Sequence, residues 1–384
     1  MAHVLRAELP GKVVIGEIDA ERELGDGEVR LKSLISAISH GTELHFVRRT
    51  SPFAGKYFDS TLRAFVEGVD NSEHDPDVLG YEMVSEVTEV GRGVNGFRVG
   101  DIVHSGTPHQ DKTIVDIDAQ RDFGYPVTVL PINAPLEPAL LISLGTVALQ
   151  AVHDARIKVG DRVLISGLGA IGLLATQLAT LSGASAVIAA DPLVARCELA
   201  RSLGASEVID PTDAANRGGL GLEIKRRHGH GGVDVAIETS GVYPALHASI
   251  AAVGVGGRVV SVGFYQGDAI GLRLGEEWHH NRPDLISSMG VWSCPHRDYP
   301  LWTRQRLTDE VRDLLYSGKL KTKPLLTQRV EFRDAQRGYD LVMSNPAAVI
   351  KVAIVYDAYK EHMAKITPLT ANVLPTQSRG LPEV

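Results

Sequence analysis

The run Asp161-Arg-Val-Leu-Ile-Ser-Gly-Leu-Gly-Ala-Ile-Gly172 constrains this chain more than any other stretch. Val163, Leu164 and Ile165 read as a short buried strand. Gly167-Leu-Gly-Ala-Ile-Gly172 follows, and a helical pattern then runs through Leu173, Leu174, Gln177, Leu178 and Leu181. A Gly-x-Gly-x-x-Gly turn between strand and helix, with a second strand ending in an acid about 20 residues on, is a dinucleotide-binding signature. Gly167 permits the tight turn, Gly169 lets the backbone approach a pyrophosphate, and Gly172 lets helix and strand pack closely. Ala170 and Ile171 open the helix, whose unpaired N–H groups and partial positive charge favour phosphates. Asp191 closes the strand Ala186–Ala190 and is placed to accept from adenosine ribose hydroxyls. A carboxylate there repels a 2′-phosphate, so the expected cofactor is NAD rather than NADP. Arg196, just past Asp191, is expected beside the adenosine end.

From Val163 onward, short apolar strands alternate with helical patterns: Val163–Ser166, Ala186–Ala190, Glu207–Ile209, Asp234–Glu238, Arg258–Val262 and Ile286–Trp292. That rhythm predicts an α/β fold, a doubly wound parallel sheet. Ser240, Val262 and Gly263 stand at or just past the ends of its later strands and are assigned to the cofactor crevice. The first 140 or so residues read differently. Val13–Glu17, Val29–Leu34, Val84–Val90 and Ile102–Val103 are strand-like and separated by Gly, Asp and Asn turns, the pattern of an irregular β-barrel. Pro131–Pro138 marks a boundary, and a helix is expected over Ala139–Ala155. Helices over Leu307–Tyr316 and Asp334–Met343 and a strand over Val349–Val355 are expected to return to the first domain. The expected division is 1–143, 144–292, 293–357 and a loose tail, 358–384.

A net charge of −8 without a basic block gives nucleic acid or an anionic membrane nothing to grip. The longest apolar runs are expected to fall short of a bilayer span, and residues 1–8 contain no signal-peptide core. With only Cys197 and Cys294, a disulfide framework is excluded and a reducing, cytoplasmic setting is expected.

Three further stretches carry a family likeness. Leu79-Gly-Tyr-Glu-Met-Val-Ser-Glu-Val-Thr-Glu-Val-Gly91 is similar to a Gly-His-Glu segment, Gly96-Phe-Arg-Val-Gly-Asp-Ile-Val103 to a G-x-x-V-G-D-x-V turn, and Ile38-Ser-His-Gly-Thr-Glu-Leu-His45 to a Cys-Gly-Ser/Thr-Asp-x-His loop. Together with the glycine fingerprint, they make residues 5–356 resemble the medium-chain dehydrogenase/reductase superfamily. The resemblance implies a Rossmann sheet beside a GroES-like barrel, a small-molecule substrate, and a homodimer or homotetramer.

Members that use zinc hold it with the Cys of the first loop, the His of Gly-His-Glu, and a Cys or Glu ahead of the cofactor domain. In this chain His40 stands at the first position and Tyr81 at the second. The third falls near Ser143, with Glu137 several residues away. Zinc takes about four ligands from Cys, His and carboxylates, and one good ligand remains, so no metal is expected. The minority reading is a site rebuilt from His40, Glu82 and another histidine. Without zinc, a protein donor must bind the reacting oxygen. Tyr81 and His40 are the candidates, His40 as a group titrating near neutral pH. The resemblance further implies a proton relay through Thr42 and His45. Glu82 is expected to bond a neighbouring basic group, and Glu43 to be structural.

Glu276-Glu-Trp-His-His-Asn-Arg282 lies between the fifth and sixth strands, where loops line the ligand crevice. His279, His280 and Asn281 there suit a polyhydroxylated substrate. The expected activity is hydride transfer between NAD and a secondary alcohol such as a polyol, sugar or cyclitol. The alternatives are an NADPH-dependent quinone or enoyl reductase and a non-catalytic nucleotide-binding protein.

Overall fold

The computed structural model of the protein describes residues 1–51, 55–68, 77–123, 125–216, 218–229, 231–290 and 301–370. The chain opens with an antiparallel hairpin, β1 (Ala2–Leu9) and β2 (Lys12–Ile18), followed by the long strand β3 (Glu28–Ile38) and α1 (His40–Val47). A small hairpin of β4 (Lys56–Asp59) and β5 (Ala64–Glu67) follows, then β6 (Met83–Val90), β7 (Ile102–Ser105), β8 (Lys112–Asp116), α2 (Ile117–Phe123) and β9 (Thr128–Val129). A 3-10 turn over Glu137–Leu141 leads into α3 (Ile142–Ala155).

The second half alternates strand and helix: β10 (Arg162–Ser166), α4 (Ala170–Leu181), β11 (Ala186–Ala190), α5 (Val194–Ser202), β12 (Glu207–Ile209), α6 (Pro211–Ala215), α7 (Leu220–His228), β13 (Val233–Glu238), α8 (Tyr243–Ala252), β14 (Val253–Ser261), α9 (Glu277–Asn281) and β15 (Asp284–Ser287). These strands form one parallel sheet in the order β12-β11-β10-β13-β14-β15. The order reverses between β10 and β13, and that switch point opens a crevice at the strands' carboxyl ends. Val163, Leu164 and Ile165 are fully buried because both faces of the sheet are covered by helices.

The chain then returns through α10 (Arg304–Tyr316), β16 (Leu326–Glu331), α11 (Ala335–Ser344), β17 (Lys351–Val355) and α12 (Asp357–Thr370). β17 pairs antiparallel with β3, so the first half's sheet reads β16-β17-β3-β6-β7-β9, with β8 also on β3. The architecture is a Rossmann sheet beside a GroES-like barrel, as expected. α3 links the two. It packs on α4 and α10, and a Cβ at Gly145 would lie 2.5 Å from Val311 Cγ1.

Four expectations need correction. First, the apolar stretch Glu137–Ala155 is long and apolar enough for a bilayer, by length and composition. Most of it is nevertheless buried in the core that joins the two halves. Second, β1, with Val4, Leu5 and Ala7 almost wholly buried, was missed; its Glu-Leu-Pro end masks the alternation. Third, the sixth strand starts at Asp284, two residues earlier than expected, because its pairing with Arg258 on β14 sets the register; residues 291–300, with Trp292, Cys294 and His296, lie outside the described set, as does His230. Fourth, the tail does not begin loose. α12 buries Ala358 and Tyr359 against the core, and Tyr359 Oη donates to Glu137 Oε1 at 3.0 Å.

Candidate active site

The cofactor crevice forms where β10 and β13 end. Gly167 adopts φ +87°, a conformation that strains any residue with a side chain, and Ser240 packs against the turn so closely that a Cβ on Gly167 would meet the Ser240 nitrogen at 2.8 Å. Gly172 sits on the Gly167 carbonyl, which a Cβ would reach at 1.9 Å. Gly169 differs: nothing lies within 4 Å of where its Cβ would be, and it caps the N-terminus of α4. Ala170 and Ile171 begin that helix. An open space over a helix N-terminus is a fit for a pyrophosphate.

Asp191, almost fully buried, ends β11. Its Oδ2 accepts from the Leu168 N–H at 2.8 Å and its Oδ1 from the Leu193 N–H at 2.9 Å, which ties the carboxylate to the glycine turn. Arg196 is more committed than expected. One Nη donates to the Pro346 carbonyl at 2.8 Å, bridging α5 to the loop before β17, while the other is 3.8 Å from Asp191.

Glu238, at the end of β13, is the residue that the sequence reading missed here. It gathers Ser240, whose N–H donates to its Oε1 at 2.7 Å, and accepts from the Tyr265 hydroxyl. Its carbonyl accepts from the N–H groups of Val262 and Gly263. Burial pushes the Glu238 carboxyl up. The available signal was an acid closing an apolar strand just before Thr-Ser-Gly.

The second cluster forms at the carboxyl end of β3. β6 lies on one side, with Met83 opposite Ser36; β17 lies on the other, with Val352 opposite Ile38. This geometry delivers Tyr81 and Glu82 from one neighbour and Lys351 from the other to the Ser39–His40 junction. Lys351 and Glu82 are both wholly buried, and the ammonium donates to Glu82 Oε2 at 2.5 Å and to Ser39 Oγ at 3.0 Å. Glu82 Oε1 accepts from the Ser143 N–H at 3.1 Å. Burial pushes the Glu82 carboxyl up against the pull of Lys351.

Tyr81 stacks on Tyr125, with ring centroids 5.9 Å apart. Its phenol oxygen stands 3.5 Å from Thr42 Oγ1. Burial raises the phenol to about 12, although the Ser39 and Thr42 hydroxyls nearby pull it down. His40 is corrected: it does not titrate near neutral pH. Burial first, then the nearby charges of Lys351 and Arg196, lower it to about 4, with Glu43 opposing. Neutral imidazole is therefore its working form, and Tyr81 is the better proton donor.

His45 bonds Thr50 Oγ1 through Nδ1 at 3.1 Å, and its ring meets Phe264, from the loop after β14, edge-on at 6.0 Å. It thus faces the other half of the molecule, three residues on from Thr42 but not hydrogen-bonded to it. Glu43 is buried in its own network. It accepts from Tyr339 Oη at 2.5 Å and from the Ser39 N–H at 2.6 Å, and it pairs with His109 at 3.2 Å. His109 is therefore enclosed, and so is His104, bonded to Ser143 Oγ at 3.2 Å. His279, His280 and Asn281 lie on α9, with both histidines exposed. His280 Nδ1 bonds the Glu276 carbonyl at 3.0 Å, and among the described residues no hydrogen bond joins this trio to Tyr81 or His40.

A family model described as zinc-binding dehydrogenase matches residues 170–300. A D-guloside 3-dehydrogenase of Escherichia coli (strain K12) is 33% identical over 341 residues, spanning 88% of this chain and 95% of that protein. A D-xylulose reductase of Saccharomyces cerevisiae is 27% identical over 377 residues, spanning 90% and 96%. The crystal structure of a 2R,3R-butanediol dehydrogenase from Bacillus subtilis superposes with a TM-score of 0.73 at 23% identity, covering 92% of this chain and 99% of that one.

Proposed function

The chain belongs to the medium-chain zinc-type dehydrogenase family and is an oxidoreductase of the alcohol and polyol type; on that premise we propose that it interconverts a secondary alcohol of a sugar or polyol and the corresponding ketone, with NAD as cofactor and without a metal ion. The observation that carries this reading is the Tyr81 phenol, 3.5 Å from the Thr42 hydroxyl, at the position where zinc-using relatives place a histidine ligand. NAD when bound supplies or accepts the hydride. The open cradle at Gly169 fits its pyrophosphate, and the buried carboxylate of Asp191 favours an unphosphorylated ribose. The sugar class follows from the D-guloside and D-xylulose relatives.

The family's zinc does not fit these residues. Zinc needs three or four N, S or O ligands converging at bonding distance. Here Glu82 is held by Lys351, whose ammonium would stand against a divalent cation. Among the described residues, one trio of possible ligands converges, His247, Glu276 and Glu277, and it does not include His40. No step is therefore routed through a metal. Tyr81 donates its hydroxyl proton to the ketone oxygen in reduction and takes the alcohol proton in oxidation, while neutral His40 offers a hydrogen bond to the substrate.

The test is metal analysis of the purified protein, followed by NAD-linked turnover of D-xylulose, xylitol and methyl D-guloside with and without chelator. Chelator-resistant turnover that falls by about 10²-fold or more in Tyr81→Phe is expected, the typical worth of a positioned acid or base. Stoichiometric zinc, or a Tyr81→Phe enzyme of undiminished kcat, would overturn the reading.

A further inference from the structure

The structure assigns a second small-molecule site to the cavity beside β3, one that takes a neutral polyhydroxylated molecule and is tied by hydrogen bonds to the start of α1. The inference stands apart from the reading of Tyr81, because the cavity contains none of the residues placed in the candidate active site.

The cavity has a topological cause. One edge of β3 pairs with β8 over Glu28–Lys32 and with β17 over Ile35–Ile38. Ser33 and Leu34 stand in the gap between the two partners. Their backbone groups are met across it, the Ser33 N–H by the Asp111 carbonyl at 3.0 Å and the Leu34 carbonyl by the Tyr356 N–H at 3.1 Å. The side chains around the gap leave a cavity of about 520 Å³. That volume falls in the range of about 300–1,000 Å³ usual for small-molecule sites.

The wall carries an unmet group. Ser33 is 1% exposed, and among the described residues its hydroxyl has no hydrogen-bond partner. Ser85, opposite it on β6, is also buried and unpartnered. Buried polar groups are ordinarily paired, so an orphan hydroxyl on a cavity wall points to a partner that enters.

The charges around the cavity disfavour an ionic ligand. The three acids of its lining already have partners: Asp111 lies 2.8 Å from His3 Nδ1, Asp357 2.8 Å from the Arg333 guanidinium, and Glu331 2.6 Å from the Lys360 ammonium. Lys112 is held by Glu21 at 2.6 Å and Lys32 by Glu361 at 2.9 Å. An ion would have to break one of these pairs. A carboxylate with one partner can still accept, and an ammonium with one partner can still donate, so hydroxyl groups add to the pairs without displacing them. The rings of Phe332 and Tyr356, stacked 4.8 Å apart, and the side chains of Val355 and Ala358 supply apolar surface for C–H groups. Hydroxyls on one side and C–H groups on the other describe a sugar or polyol.

Tyr356 joins the cavity to the catalytic loop. Its hydroxyl is 3.1 Å from Ser36 Oγ, which is 2.8 Å from His109 Nδ1. His109 Nε2 is 3.2 Å from Glu43 Oε2, and Glu43 Oε1 takes the N–H of Ser39, the neighbour of His40, at 2.6 Å. Tyr339 Oη donates to the same Glu43 Oε2 at 2.5 Å. All of these residues are buried, so a ligand that shifts Tyr356 shifts Glu43 and with it the N-terminus of α1. Coupling between sites is carried by contiguous bonded and packed groups, and this set is contiguous.

The test is fluorine NMR of the full chain labelled with 3-fluorotyrosine, titrated with xylitol in the absence of cofactor. Resonances lost in Tyr356→Phe and Tyr339→Phe identify the two rings, one on the cavity and one at the far end of the network. Both are expected to move with a single midpoint. Ile15 lines the cavity from β2 and is 41% exposed, so Ile15→Trp fills the space from a tolerant position and is expected to abolish both movements. Ser33→Ala is expected to leave the protein as stable as the parent and to raise the midpoint about threefold or more, the worth of one hydrogen bond. D-xylonate, with a carboxylate in place of one carbinol, is expected to bind more weakly than xylitol. Two silent rings, a response that survives in Ile15→Trp, or a parental midpoint in Ser33→Ala would overturn the site. Equal binding of D-xylonate would overturn the ligand class, and movement of Tyr356 alone would overturn the link to α1.

Discussion

Gly172 lies so close under Gly167 that a Cβ on the former would stand 1.9 Å from the latter's carbonyl oxygen, whereas Gly169, between them, has empty space above it. Close packing and cofactor approach are thus divided between two glycines of one turn. Gly172→Val should destabilise the fold, since backbone must move. Gly169→Val should leave the unfolding free energy from urea titration within about 1 kcal/mol of the parent, a typical capping cost, yet weaken NADH binding more than tenfold by occupying the pyrophosphate space. Fluorescence titration and urea unfolding of both variants read the contrast; equal loss in both measurements for Gly169→Val would refute it.

Asp191 has a double duty, repelling a phosphorylated ribose and accepting the Leu168 and Leu193 N–H groups. Asp191→Asn keeps much of its shape and removes the charge. The NAD over NADP preference in kcat/KM should shrink by about tenfold, the effect of losing roughly 1.4 kcal/mol of repulsion. An unchanged preference would locate discrimination elsewhere.

Glu43 is the shared acceptor of Tyr339, His109 and the Ser39 N–H in a wholly enclosed site. Glu43→Ala should cost about 3 kcal/mol or more in denaturant unfolding, because several buried donors lose their acceptor at about 1–3 kcal/mol each. A loss below about 1 kcal/mol would show that the network contributes no more than an exposed pair.

Acid should weaken the fold through two histidines. Burial chiefly, helped by Lys351, lowers His104 from 6.5 to about 3 and His40 to about 4. Below pH 6.5 the unfolded chain takes up protons that the native chain refuses. The contribution is therefore complete above pH 6.5 and is lost as pH falls toward 4 and below. Each histidine adds a slope of about 1.4 kcal/mol per pH unit. His104→Gln should make the stability curve between pH 6 and 4 measurably flatter; a curve parallel to that of the parent would sink the assignment.

The fingerprint and the parallel sheet were legible because their signals are local. Strand, glycine turn, helix and acid fall within the 31 residues from Asp161 to Asp191, and periodicity reports burial over just such distances. Glu82 was expected to have a basic partner, but that partner is 269 positions away, and nothing in a linear pattern singles out Lys351. The misreading of His40 has the same root, since the burial that chiefly holds it neutral, and the charges of Lys351 and Arg196 that add to it, come from distant elements. The Glu43–His109 pair, 66 positions apart, was hidden for the same reason. Register between strands, rather than propensity within them, builds this site.

The return of β17 to the flank of β3 also means that the site is completed late in synthesis. Glu82 leaves the ribosome early, and the whole nucleotide-binding half must follow before Lys351 arrives to neutralise it. A protein truncated ahead of residue 351 would retain an intact dinucleotide fingerprint but carry an uncompensated carboxylate in an apolar interior. Such a fragment would be poorly folded as well as inert, because the partner of Glu82 is synthesised 269 positions after it.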